Sequence, residues 1–573
     1  MINKFKLAAL AAAVLLAVPC SFSCSPEKTG TDDIVTAEVK LPEGTTGIDA
    51  MRFHSDGSVE ISAQRFFTGR CALILSAAKD AEIYYTIDGS IPTKDSQRYT
   101  DPIPMELPED NFPTCIALRA KAYMKDGTES AVTTETFWCS ELMDREFESL
   151  VVSVVGDPEE ITDPPDGIFY GKNKELRGRE SEREVHLEML DSDGSSIFIQ
   201  NAGMRLFGAY SRDNAVKSMK LFARKSYDEA HGKFSCGVFG TPDAEGGMID
   251  SYDKLVLRSA GNDFQFAFMR DELFQVIAAR SGYVNCEGVA PVVVYLNGSY
   301  YGLHWLHEVI CDELLKDKFG GDKGKYIVLE GTEQEKKVSE TDSEEAAAAE
   351  EFNKKYSELS ALDLSKDENY DKLCSFIDVE NYLDYYAFNI VINNRDWPHN
   401  NEKCFRYCAG EDETVLSGMT DGKWRFWLHD MDYSAGIYDQ EETRPYYDNL
   451  GQILDPKSER YSPLFAALMK RDDCRTAFTE KVKELMATTL SSESVNDTVD
   501  ELRDLRTKEM CRYFDHLEEL KMHDGSVWTN YGDYSKQLRR IRRFFESRKE
   551  NLEKFMAKAF DPDYVETTEP ATE

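Results

Sequence analysis

The sequence predicts an α+β protein in two unequal parts, a small all-β unit followed by a larger mixed one. Three features lead there: short apolar or alternating runs parted by turn residues between 59 and 140, strand-like and helix-like runs interleaved from about 145, and helical spacing from Pro463 to Phe560. A chain of 573 residues is too long for one core, and its 41% hydrophobic and 11% aromatic content can fill more than one. The expected order is a signal peptide over 1–23, a tether over 24–58, a β-sandwich over 59–140, the mixed unit with its helical C-terminal part over 145–560, and a disordered acidic tail over 561–573.

Lys4 and Lys6 precede an unbroken apolar run over 7–18, too short to span a bilayer but fitting the hydrophobic part of an export signal. Ser23 stands directly before Cys24, followed by Ser25 and Pro26. This resembles a bacterial lipoprotein signal, which implies diacylation of Cys24 and a lipid anchor in the cell envelope, on a membrane or the cell surface. Cys20, preceded by Pro19, is the other candidate, and a soluble exported protein cut nearby is the alternative. Net charge is −38, from 67 Lys+Arg against 105 Asp+Glu, which repels a phosphate backbone and excludes nucleic acid as a partner. Beyond Cys20 and Cys24 the cysteines are odd in number and show no paired CxxC, so they read as small core residues.

Residues 25–58 are polar and rich in Gly and Thr, as a tether would be. Runs at 72–75, 82–87 and 116–123 read as strands, with Asp88-Gly89 as a turn. The string Ile83-Tyr84-Tyr85-Thr86-Ile87-Asp88-Gly89-Ser90-Ile91-Pro92-Thr93 resembles the C-terminal-type repeat of chitobiase and β-hexosaminidase. That likeness implies an immunoglobulin-like accessory module without catalytic residues, here read as a spacer. In the mixed unit, 150–155, 254–257 and 289–296 read as strands, 268–279 as a helix, and 338–359 as a solvated helix or insertion.

The chemistry concentrates in three places. Asp396 and Asn401 stand five apart in a loop between an apolar helix (382–392) and a strand (403–407), the spacing of a kinase catalytic loop. A carboxylate there accepts the proton of an attacking hydroxyl, and an amide oxygen binds a cation without adding negative charge beside phosphate. Asp430 and Asp432 follow a strand at 424–429, where a second carboxylate would meet a hard cation such as Mg²⁺. Between 204 and 225, Arg205, Arg212, Lys217, Lys220, Arg224 and Lys225 face only Asp213, a basic island suited to a nucleotide's phosphates. With 216–222 read as a strand, Lys217 is the expected phosphate-binding lysine, Arg212 its neighbour in that role, and Lys220, on the opposite face, its rival.

Taken together these strings are similar to the CotH family of atypical protein-kinase-like phosphotransferases. The likeness runs from Leu206-Phe207-Gly208 and Lys217-Ser218 through Val294-Tyr295-Leu296-Asn297-Gly298 to Asn394-x-Asp396-Trp397-Pro398 and Trp427-x-His429-Asp430-x-Asp432. It spans roughly 145–480 and implies a bilobal kinase-like fold, Mg²⁺ and ATP as cofactors, and a protein substrate offering Ser or Thr hydroxyls. By position it makes Asp396 the catalytic acid–base residue, Asn401, Asp430 and Asp432 the metal site, and Lys217 with Arg212 the nucleotide grip. Asp271 or Glu272 is either the ion-pair partner of Lys217 or simply the acidic charge at the N-terminus of helix 268–279. Two positions depart from the family pattern: bulky Tyr210 in the glycine turn, and His429 where Trp often stands. A non-catalytic surface-binding lipoprotein and a glycosidase with paired carboxylates are the competing functions.

Overall fold

The computed structural model describes residues 47–53, 59–108, 112–337, 343–409, 418–524 and 531–564. The expected signal peptide, Cys24 and the part of the expected tail beyond 564 lie outside them. No helix among the described residues is long and apolar enough to cross a membrane.

The small unit is a sandwich of two sheets. One holds strands Gly47–Phe53, Val59–Ser62, Cys71–Ser76 and Ile103–Met105; the other holds Phe66–Thr68, Glu82–Thr86, Gln97–Arg98, Thr114–Tyr123 and Thr133–Ser140. Alternate residues of both, among them Ile48, Leu73, Leu118 and Phe137, close one core between them. Gly47–Phe53 falls in the expected tether but pairs with Cys71–Ser76, because Ile48 and Ala50 supply an apolar face that the polar composition around them conceals.

The sandwich packs tightly on the larger unit. Trp138 is fully buried between Phe66 and Tyr295, at 5.5 Å from each ring, Arg65 Nε lies 3.2 Å from Glu188 of the larger unit, and Thr136 and Ser153 share a hydrogen bond of 2.7 Å. The module read as a spacer is thus continuous with the larger unit's core.

The larger unit begins with a closed seven-stranded barrel: Leu150–Val155, Arg183–Leu190, Ser196–Leu206, Met219–Phe222, Lys254–Arg258, Ser299–Glu308 and Val289–Leu296, the last pairing in parallel with the first. Alternation sends Met219, Leu221, Leu255 and Leu257 into the barrel interior. It sends Lys220, Val256 and Arg258 to the outer face. The strand carrying Lys220 begins only at Met219, so Lys217 precedes it.

Helix Arg270–Arg280 packs outside the barrel. Beyond it lies a four-stranded sheet, Lys336–Lys337, Tyr326–Gly331, Glu402–Tyr407 and Arg425–Trp427, followed by a helical region. Helix Ser343–Ser360, expected to be solvated, buries Ala348, Ala349, Phe352 and Tyr356 against that sheet and its neighbours. From Pro463–Leu468 to Tyr531–Phe560 the elements are helices, as the spacing predicts. All eleven described cysteines are free thiols, six of them buried.

Candidate active site

Helix Val379–Ile392 starts where Asp378 caps Asn381 N, and is buried along most of its length. Asn393 ends it in the left-handed conformation (φ 54°), its side-chain amide donating to Glu442 O at 2.9 Å. The chain then turns through Asn394, whose Oδ1 accepts from Asp396 N at 3.1 Å, while Trp397 is sunk between Tyr385 and Tyr386. The loop is therefore held at both ends before the strand Glu402–Tyr407 begins.

This brings three of the expected residues together. Asn401 Nδ2 donates to Asp396 Oδ2 at 2.8 Å and to Asp430 Oδ2 at 3.0 Å. Asn400 donates to both oxygens of Asp396 at 3.2 Å. Asn401 and Asp430 both hold left-handed backbones, φ 51° and 52°, a strain of order 1–3 kcal/mol apiece that concentrates at functional sites. Burial and the charge of Asp430 push the Asp396 carboxyl above its ordinary pKa. Burial acts the same way on Asp430, but Arg258 and His429 outweigh it and hold Asp430 below the usual range.

Arg258 is the residue that sequence reasoning missed. Its Nη2 donates to Asp430 Oδ1 at 2.5 Å and Asp432 Oδ2 at 2.8 Å, and its Nε lies 3.3 Å from Asp271. The only sequence signal was Leu255-Val256-Leu257-Arg258, a charged end to an apolar strand. Behind it, His307 joins Glu272 (3.0 Å) to Glu287 (2.9 Å), and Glu287 reaches His429 at 2.8 Å. Against its burial, these carboxylates lift His307 to about 9, so the network holds as alternating charges. Asp271 and Glu272 therefore serve Arg258 and His307, not Lys217. Asp271, Glu272 and His307 converge closely enough to hold a metal ion, but Arg258 already supplies the positive charge there.

Asp432 stands differently from its expected role. It is 2% exposed, and its oxygens take Arg258, Asn262 N (2.8 Å) and Asn262 Nδ2 (2.9 Å). Gly261 (φ 54°) permits this approach, since a Cβ there would lie 2.1 Å from Asp432 Oδ2. Asp432 therefore anchors the barrel's edge, with both oxygens engaged by Arg258 and Asn262. The oxygen donors left for a hard cation are Asp430 Oδ2 and, after rotation of the amide, Asn401 Oδ1; two hard oxygens on one side of the cluster fit such an ion.

Lys217 and Arg212 do not reach this cluster. Lys217 Nζ donates to the carbonyls of Arg212 (2.8 Å) and Asn214 (3.0 Å). Arg212 spends its guanidinium on the carbonyls of Gly208, Lys174, Leu176 and Leu206. Both shape the turn that carries Tyr210. Lys220 shares Arg258's outer face; burial, then the charges of Lys254, Lys403 and Arg205, hold its ammonium down to about 8. Beside the acids a pocket of about 330 Å³ opens between Tyr210, Asn214, Gly261, Asn262, Phe266 and Tyr438.

Fold and cluster define an α+β protein whose acid–amide site lies where a barrel meets a small sheet and helices. The family model described as CotH kinase protein matches residues 204–552, well over half of the chain, and one described as Fn3 associated matches 73–137. The chain belongs to the CotH kinase protein family, with an immunoglobulin-like domain ahead of it. No curated protein matches it. Membership suggests a kinase-like function and implies, in general terms, use of ATP and a divalent metal on a protein substrate.

Proposed function

We propose that this protein is an exported, lipid-anchored kinase that transfers the γ-phosphoryl group of Mg²⁺–ATP to a Ser or Thr hydroxyl of another protein. The reading treats the barrel and the helical region as the two lobes of a kinase-like fold. What carries it is the bridging of Asp396 and Asp430 by Asn401 at 2.8 and 3.0 Å, which sets a proton acceptor beside two cation donors.

In this reading the acceptor hydroxyl oxygen bonds to the γ-phosphorus as the β–γ bridging oxygen leaves with ADP. Asp396 orients that hydroxyl and takes its proton, and its raised pKa suits it to do so. Asn401 and Asp430 would hold the cation, which when bound would offset phosphate charge. Lys220, on the outer face of the barrel with Arg258, would supply positive charge to the phosphates. Tyr210 and Tyr438 wall the adjoining pocket.

A binding-only surface protein is the second reading, favoured by Arg258 already occupying one oxygen of Asp430. Thermal-shift titration with ATP and Mg²⁺ separates the two. The kinase reading expects a cation-dependent rise, about 2.7 kcal/mol at 100 times Kd, that Asp430→Ala abolishes. No shift with any Mg²⁺–nucleotide leaves the binding reading standing.

A further inference from the structure

Buried guanidiniums in this chain are met in one of two ways. Carboxylates meet Arg258 and Arg270; sets of backbone carbonyls meet Arg212 and Arg548. Arg395, next to Asp396 in the chain and only 5% exposed, has neither among the described residues. Both of its Nη atoms share the single oxygen Gln452 Oε1 at 3.2 Å, its Nε has no hydrogen-bond partner among those residues, and its guanidinium lies 4.6 Å from the Tyr447 ring.

A second arginine stands beside it. Arg460, half-buried, donates Nη1 to Trp397 O at 3.1 Å in the same loop. Among the described residues no carboxylate lies within 4.0 Å of either guanidinium. Glu442 faces Arg395 and Asp396 faces Arg460 from farther off, and the hydroxyls of Tyr433 and Tyr447 face both. Burial and the charge of Arg395 bring Arg460 down to about 10. Two like charges packed together, one with an unused donor, in a chain of net charge −38, are suited to receive an anion.

We propose that Arg395 and Arg460 form an anion subsite beside Asp396 that takes an acidic group, carboxylate or phosphoryl, flanking the acceptor hydroxyl of the protein substrate. The assignment of an acceptor hydroxyl rests on the kinase reading; the anion site itself does not. Arginine suits the role, because its planar fork pairs with either group through two parallel hydrogen bonds. Acceptor segments rich in Asp, Glu or already phosphorylated residues are then selected, and Lys-flanked ones are repelled by the same two charges.

The test uses the mature chain and short peptides with one central Ser flanked by Glu, phosphoserine, Gln or Lys, plus matched peptides with Ala in place of that Ser. Calorimetry on the Ala peptides reads the subsite without requiring transfer. Glu or phosphoserine flanks should bind about tenfold or more tighter than Gln flanks, with Lys flanks weakest. Arg460→Gln should bring Glu and Gln flanks to within about threefold, with Arg460→Lys intermediate. Arg395→Lys serves should Arg460→Gln lose its cooperative unfolding. Tight binding of phosphoserine flanks alone identifies a phosphoryl group as the source; equal binding of Glu flanks shows that a carboxylate suffices. Affinity for both Glu and phosphoserine flanks no greater than for Gln flanks, or a preference that survives Arg460→Gln, overturns the proposal. If the affinity ranking holds but no Ser peptide is phosphorylated, the subsite stands and the kinase reading falls.

Discussion

Arg258 Nη2 lies 2.5 Å from Asp430 Oδ1, tying the end of a barrel strand to the acid that follows Arg425–Trp427. The same guanidinium serves Asp432 and Asp271, so one cation balances several carboxylates. Arg258→Met should therefore cost about 3–5 kcal/mol in urea unfolding, the penalty for leaving buried charge unpaired. A loss below about 1 kcal/mol would show that the acids relax into water or protonate.

Asp396→Asn keeps the shape of the side chain and removes the proton acceptor. Turnover should fall by about 10²–10⁴-fold while nucleotide Kd changes only a few-fold. Autophosphorylation and calorimetric ATP binding, measured on the same preparation, read the two quantities. Wild-type turnover in this variant ends the assignment of Asp396.

Lys220 and Lys217 separate cleanly. Lys220→Met removes an ammonium that has no ion-pair partner among the described residues and should weaken ATP about tenfold or more, roughly 1.4 kcal/mol. Lys217→Met loses two hydrogen bonds to loop carbonyls, worth about 1 kcal/mol each, and should lower stability more than ATP affinity. The reverse ordering would restore Lys217 as the phosphate grip.

Glu333 gives a pH test away from the cation donors. Its Oε1 accepts from Tyr356, Tyr382 and Ser462, its Oε2 has no partner among the described residues, and burial with the nearby Glu402 raises it to about 7. A carboxyl raised in the folded state favours folding while protonated. Its contribution is full below about 4.5, the unfolded value, and is lost as pH rises through about 7. From pH 5 to 8 the wild type should therefore lose stability relative to Glu333→Gln, by at most about 1.4 kcal/mol per pH unit. Parallel pH profiles would show that Glu333 titrates normally.

Cys24 carries the anchoring prediction. Fatty-acid labelling in a bacterial host should be present in the wild type and absent in Cys24→Ser. Label that persists in that variant moves the anchor to Cys20.

Short-range pattern was enough for much of this protein. Asp396 and Asn401 could be read because a loop between an apolar helix and a strand places residues five apart by local geometry alone. Apolar or alternating runs at 150–155, 254–257 and 289–296, and helical spacing at 382–392, marked elements that local pattern suffices to place. The family strings were equally local, each only a few residues long.

Only the tertiary structure decided which of two basic residues shares Arg258's face of the barrel. Reading 216–222 as a strand set Lys217 and Lys220 on opposite faces but could not say which face lines the barrel interior. The answer came from Met219 and Leu221 meeting Leu255 and Leu257. It likewise took closure of the barrel to carry Arg258 to Asp430 and Asp432, more than 170 residues away. Trp138 shows the same limit: an apolar residue in a strand signals burial, yet not that its partner is Tyr295 of the next unit. Sequence spacing specifies which side chains share a face of one element. Which charge neutralises which other, across elements distant in the chain, depends on how those faces pack, and that decided the chemistry of this site.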